Sequence, residues 1–160
     1  FSLMEHLEIE RKFLVKTEAF KQQAISQTRI VQGFLNTDPE RTVRVRIKGE
    51  RGFLTVKGAS NESGTTRFEW ETEISVAEAA NLIDLCEAGI LEKVRFEVPL
   101  GKHMFEVDEF LGENKGLLLA EVELTHEDER FEKPDWLGEE VTGQVQYYNS
   151  QLSIKPFKEW

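Results

Sequence analysis

In segment after segment of this chain, charged and apolar residues alternate with a strict period of two. RFEWETEI sets Arg67, Glu69, Glu71 and Glu73 against Phe68, Trp70, Thr72 and Ile74, and KVRFEVPL sets Lys93, Arg95 and Glu97 against Val94, Phe96 and Val98. The same holds for Arg44 and Arg46 in TVRVRIKG, Glu106 and Asp108 in MFEVDEF, and Glu121 and Glu123 in LLLAEVEL. Near the start, Glu8, Glu10 and Lys12 of EIERK fall on one face, and Lys57 follows in FLTVKG. Two is the period of a β-strand, whose successive side chains point to opposite faces. The chain is therefore committed to sheet with one apolar and one charged side.

Strands are expected over 7–15, 29–35, 42–48, 53–58, 66–74, 92–98, 103–110 and 117–125. The links KGERG, GASNESG and LGENKG carry turn residues. One well-marked helix is expected in SVAEAANLIDLCEAG, opened by a capping box of Ser75 and Glu78 and ended by Gly89. Shorter helices are expected over 16–25 and 143–152. Eight mostly antiparallel strands with few helices point to an α+β, mainly β chain folded as a closed eight-stranded antiparallel barrel, because closure removes exposed edges. Such a barrel has room inside for side chains or one small ligand.

The charged faces have two readings. Solvated outer faces over an apolar core are the ordinary arrangement for antiparallel strands. Three features favour a charged lumen instead. Almost no Ser, Asn or Gln stands at these positions, cations and carboxylates are segregated by strand, and the apolar faces carry large residues suited to a covered outer wall. An unpaired buried ion costs roughly 3 to 5 kcal/mol, so a lumen of this kind calls for a ligand and metal ions to balance it. Clustered Arg and Lys match phosphate oxygens, and grouped carboxylates match Mg²⁺ or Mn²⁺.

Composition narrows the partners. The formal charge of −10 over 160 residues disfavours duplex nucleic acid and anionic membranes, both of which select a positive field. The lone Cys86 has no internal disulfide partner, and no apolar run approaches a membrane span. The chain reads as soluble and cytoplasmic. Met4 reads as the native start, with Phe1–Leu3 foreign to it, so a single domain is expected over 4–160. The oligomeric state is left open, a homodimer included.

The ordered set EIERKFLV, RVRIKG, TVKG, RFEWETEI, KVRFEV, FEVDEF, AEVEL and YYNSQLS resembles the CYTH domain of the triphosphate tunnel metalloenzyme superfamily, over Glu8 to about residue 154. The resemblance implies an eight-stranded tunnel that binds triphosphates with divalent metal. Carried over by position, Lys12, Arg44, Arg46, Lys57, Lys93 and Arg95 would hold phosphates. Glu8, Glu10, Asp108, Glu121 and Glu123 would bind metal, with Glu69 and Glu71 completing the acidic lining. Lys93 would be catalytic. The superfamily includes inorganic and thiamine triphosphatases, class IV adenylate cyclases and RNA 5′-triphosphatases; QGFLN, KVR and YYNSQLS most resemble the small bacterial tripolyphosphatase branch. That branch commonly has Tyr at the place of Phe34, a hydroxyl proposed to act with the lysine matching Lys93 in activating water. The expected activity is hydrolysis of a triphosphate to pyrophosphate and phosphate, with ATP cyclisation or non-catalytic polyphosphate binding as alternatives.

Other signals are read as structural. His6, His103 and His126 lack metal-ligand spacing, Cys86 is expected to pack, and Trp70, Trp136 and Trp160 are expected in wall or lid. No GxxxxGK[ST] loop occurs. The run THEDERFEKPD is expected to be a solvated acidic loop.

Overall fold

A computed structural model describes residues 6–160, so the reading of Met4 as a start lies outside the described residues. Among the described residues nine strands form one antiparallel sheet: β1 Leu7–Val15, β2 Ser26–Asn36, β3 Arg41–Lys48, β4 Arg51–Ser60, β5 Thr66–Ile74, β6 Leu91–Leu100, β7 His103–Phe110, β8 Leu118–Glu123 and β9 Leu137–Glu140. Their order is β5-β4-β3-β2-β6-β7-β8-β1-β9, and β5 also pairs with β1, which closes eight strands into a barrel. The join is short, running from Leu7 opposite Phe68 to Ile9 opposite Thr66. Beyond it the same edge of β1 is taken by β9, the strand that the alternation did not announce. LGEE is too short, and Gly138 too poor a packer, to stand out as a strand.

Register decides which face points inward. Glu121 lies opposite Lys12 and Glu106, Asp108 opposite Arg95, Gln32 opposite Arg46, and Thr55 opposite both Arg44 and Glu71. Residues directly opposite in an antiparallel pair share a face, so the charged positions line a single surface, the inside of the barrel.

The apolar faces then look outward and are covered. Phe13, Phe96, Phe105, Val107 and Val122 form a buried cluster beneath Phe20, Trp136 and Leu137. Phe20 belongs to α1, Phe20–Gln23, a single turn in place of the helix expected over 16–25. A second cluster, including Phe34, Leu91, Phe110, Leu119 and Leu152, plugs one end of the barrel. Over β3 and β4 lies α2, Val76–Ile83, with the expected capping box: Ser75 Oγ accepts from the Glu78 amide and Glu78 Oε1 accepts from the Ser75 amide, both at 3.0 Å. The helix stops at Asp84 and does not run on to Gly89. Gly89 serves another purpose: its backbone, at φ +94°, backs so closely on Ser153 that a Cβ would lie 1.9 Å from the Ser153 carbonyl oxygen. Cys86 therefore follows the helix, where it still packs, beneath Gly33.

Two further expectations are modified. The segment 143–152 divides into a short 3-10 turn at Val145–Tyr147 and α3, Asn149–Leu152. The acidic run 125–135 is anchored along its length. Glu127 accepts from Asn61, Ser63 and Thr65, Glu129 accepts from Thr125 and contacts His103, and the Phe131 ring packs on Phe13 and Phe105. Charge composition alone did not disclose that hydroxyls and amides of the β4–β5 turn face it. Among the described residues, no helix is long and apolar enough to cross a membrane.

Candidate active site: a charged tunnel

The barrel interior is a cavity of about 250 Å³ walled almost entirely by polar side chains. Sites for drug-sized organic ligands are larger and mostly apolar; this one suits a compact, highly charged guest. All of the expected site residues face it except Asp108, which lies fully buried just behind the lining.

The segregation of charge by strand acquires a purpose here, because closure brings unlike strands together. Lys57 Nζ lies 3.1 Å from Glu8, Lys12 Nζ 3.6 Å from Glu121, and Arg44 and Arg46 lie 3.4 and 3.7 Å from the same Glu71 oxygen. Asp108 is gripped from two sides, by Lys93 at 2.7 Å and by Arg95 Nε and a second guanidinium nitrogen at 2.8 and 2.9 Å. Burial alone would raise the Asp108 pKa, but Arg95 and Lys93 hold it at about 2. The Lys93 ammonium is in turn pushed down to about 7, because its burial and the neighbouring Arg95 outweigh the attraction of an Asp108 already shared.

On the cationic wall, the Nε groups of Arg44 and Arg46 are buried without a hydrogen-bond partner. Burial, then Arg44 and Arg95, lower the Arg46 guanidinium to about 9, which leaves it charged at neutral pH. Leaving a buried donor unpaired costs on the order of 1–3 kcal/mol. Two such donors side by side are what an incoming anion would relieve.

The carboxylates form the opposite pole, and they pair with one another. Burial first, then a hydrogen bond that its protonated carboxyl donates to Glu8, push Glu69 up to about 8; for Glu8 the pull of Lys57 and the bond accepted from Glu69 overcome burial and hold it at about 2. Glu10 is likewise raised well above the carboxylate range by burial and by Glu121 and Glu8, while Lys12 and the bond with Glu10 keep Glu121 well below it. In each pair one carboxyl is thus raised and its partner lowered. Among the described residues no three potential ligands are already gathered at metal-binding distance. The donor chemistry nevertheless fits a hard divalent ion, since every ligand on this wall is a carboxylate oxygen and a bound cation favours the ionised form. Asp108 and Glu71 are each engaged by two cations, whereas Glu8 and Glu121 each meet one.

The family model for the CYTH domain matches residues 6–153. This chain belongs to the CYTH domain family. It is 46% identical over 152 residues to the inorganic triphosphatase of Acetivibrio thermocellus, covering 94% of this chain and 96% of that protein. It is 38% identical to the inorganic triphosphatase of Nitrosomonas europaea, covering 92% and 97%. Among solved structures it resembles the crystal structure of the inorganic triphosphatase NE1496, with a TM-score of 0.66 and 36% identity over 92% of this chain and 94% of that one. The CYTH tunnel enzymes depend on a divalent metal.

Several lining residues were absent from the sequence-based set. Lys48, Arg67 and Glu106 also line the tunnel, and all three lie in phase with site residues, so the alternation itself could have found them. Arg67 is held by the carbonyls of Gly58 and Pro39. Tyr148 and Asn149 enter from the C-terminal segment, where no periodicity marks an inward face. Tyr148 bonds Ser60 at 3.1 Å, and Lys12 and Arg67 approach its ring to 5.4 and 5.5 Å from the centroid. The pivotal Phe34 lines the tunnel near its plugged end and is almost fully buried.

Proposed function

We propose that this chain is a divalent-metal-dependent triphosphatase that hydrolyses inorganic tripolyphosphate to pyrophosphate and phosphate within the tunnel. The observation that carries the reading is the polarity of one cavity. Unsatisfied guanidinium donors of Arg44 and Arg46 stand on one wall, and the carboxyl pairs Glu8/Glu69 and Glu10/Glu121, each with one member raised and one lowered in pKa, stand opposite. A phosphate chain would supply oxygens to the first, and the second would hold a divalent ion. The names of the relatives, inorganic triphosphatases matched along almost their whole length, agree with it.

In this reading Arg44, Arg46, Arg95, Lys12 and Lys57 bind the phosphate chain and neutralise charge as it develops on the leaving pyrophosphate. Glu8, Glu10, Glu69, Glu121 and Glu123 would hold Mg²⁺ or Mn²⁺, which would supply positive charge to offset that of the phosphate oxygens. Asp108 and Glu71 keep the cations in place. Lys93, with a pKa of about 7, is poised to hold or release a proton near the attacking water at neutral pH. Water adds to the terminal phosphorus, the bridging P–O bond breaks, and pyrophosphate departs.

The test measures phosphate release and cyclic AMP formation side by side on tripolyphosphate, ATP and thiamine triphosphate, with Mg²⁺, Mn²⁺ or EDTA. Metal-dependent phosphate release, fastest on tripolyphosphate, is expected. Cyclic AMP as the main product would overturn the reading in favour of a cyclase.

A further inference from the structure

At the plugged end of the tunnel, the C-terminal segment inserts one neutral side chain among the charges. Asn149 Oδ1 accepts two hydrogen bonds, one from Lys93 Nζ at 2.8 Å and one from Gln32 Nε2 at 2.9 Å. An ammonium group offers donors only, so the amide must turn its oxygen toward Lys93. Its nitrogen is thereby turned away, and among the described residues Nδ2 donates to no protein group. Asn149 also lines the tunnel, unlike Gln32, which is fully buried behind it.

Gln32 adds a second clue. Its Nε2 is spent on Asn149, while its own Oε1 is buried without a partner. A buried polar group left unsatisfied is a cost to the fold, and here it accompanies a bond that fixes the attitude of one tunnel-lining amide. Fixed attitude matters for a donor aimed at developing charge, because a preorganised dipole needs no rearrangement during the reaction. On this side of the tunnel, Phe34 contributes no hydroxyl.

Resting on the triphosphatase reading, we propose that Asn149 is a substrate-contacting residue. Its Nδ2 donates to a phosphate oxygen of tripolyphosphate beside the Lys93 ammonium, and Gln32 is the positioning residue that keeps the amide turned that way. No proton is transferred through Asn149; the amide supplies a neutral N–H where a further cation would only add to the repulsion among Lys93, Arg95 and Arg46.

The experiment uses the full chain with selectively ¹⁵N-labelled asparagine. The Asn149 side-chain amide signal, assigned by its absence from Asn149→Asp, is followed while Mg²⁺ and the slowly hydrolysed analogue imidotriphosphate are added. Its protons are expected to move downfield on saturation. In kinetics on tripolyphosphate, Asn149→Ala is expected to lower kcat about a hundredfold with little change in KM, the usual effect of losing one preorganised donor. Gln32→Leu should lower kcat about tenfold, and the double variant should be no slower than Asn149→Ala, because a residue that acts through another has no separate effect once the other is gone. Binding of the analogue without movement of the amide signal, or additive losses in the double variant, would overturn the proposal while leaving the triphosphatase reading intact. Failure of the wild type to bind analogue or to hydrolyse tripolyphosphate would overturn both.

Discussion

Glu8 on β1 and Glu69 on β5 are hydrogen-bonded across the seam that closes the barrel, with Glu8 held at about 2 and Glu69 raised to about 8, so that near neutral pH the proton lies on Glu69. Metal must displace that proton. Between these values the pair binds one proton, so metal affinity is expected to climb by up to tenfold per pH unit from pH 6 to 8 and to level off above. The stability sign follows. A carboxyl raised above its ordinary 4.5 contributes stability fully below that value and loses it as pH rises through 8. The metal-free chain therefore loses this contribution progressively between about pH 4.5 and 8, and the rise in Tm produced by Mg²⁺ grows as the pH climbs toward 8. Calorimetric titration with Mg²⁺ in buffers of different ionisation enthalpy reads the proton release directly; a pH-independent affinity would remove the Glu69 proton from the account.

Arg46 presents the opposite case, a group that the ligand-free fold would do better without. Its Nε is unsatisfied, and its charge is opposed by burial and by Arg44 and Arg95. Removing one partner of a buried pair destabilises when the other charge is left unpaired, but Glu71 keeps Arg44 at 3.4 Å when Arg46 is lost, and what goes is a charge already disfavoured by its surroundings. Arg46→Met is expected to raise the Tm of the ligand-free chain while abolishing most of the further rise given by tripolyphosphate with Mg²⁺. A thermal-shift series with and without ligand checks both halves, and an unchanged ligand shift would take Arg46 out of the phosphate site.

Much of this was written in the alternation. The inward phase of β1, β3, β5, β6, β7 and β8 could be read from Glu8 to Glu123 because charge stands at every second position with almost no Ser, Asn or Gln among it, which favours a charged lumen over a solvated wall. What escaped was either short or aperiodic. β9 offers four residues with a glycine among them, and Gly89 marks a close approach to Ser153 that looks in sequence like a helix end. Tyr148 and Asn149 reach the tunnel from a segment whose position is set by tertiary contacts, so no local pattern could announce them. Glu127 likewise looked solvated because its partners Asn61, Ser63 and Thr65 are distant in the chain.

Phe34 bears on the chemistry itself. Its ring lines the tunnel beside the apolar plug, directly opposite Arg44 in the β2–β3 register. Restoring a hydroxyl with Phe34→Tyr is expected to change kcat on tripolyphosphate by no more than about threefold, a barrier change under 1 kcal/mol. The reason is that Lys93 is already held by Asp108 at 2.7 Å and Asn149 at 2.8 Å. The same substitution places a polar group beside the plug, and a loss of about 1–3 kcal/mol in urea unfolding is expected if the hydroxyl finds no partner. A large gain in kcat at constant KM would instead identify a missing hydroxyl as the limiting element.

Gly64 and Gly143 fasten the C-terminal segment to the barrel. Both have φ +77°, and a Cβ on Gly64 would lie 2.2 Å from the Gly143 Cα. No side chain can yield there, since the obstacle is backbone. Gly64→Ala must therefore displace the 143–149 segment, which carries Tyr148 and Asn149, and it also pays the left-handed penalty of roughly 1–2 kcal/mol. The strand pairings that close the barrel do not pass through this contact. The variant is expected to keep its far-ultraviolet circular dichroism, to show faster amide exchange confined to 141–152, and to lose kcat on tripolyphosphate by tenfold or more, the scale on which displacement of a positioned group by about 1 Å is felt. Exchange that accelerates equally through β3, β6 and β8 would show instead that this contact supports the whole barrel.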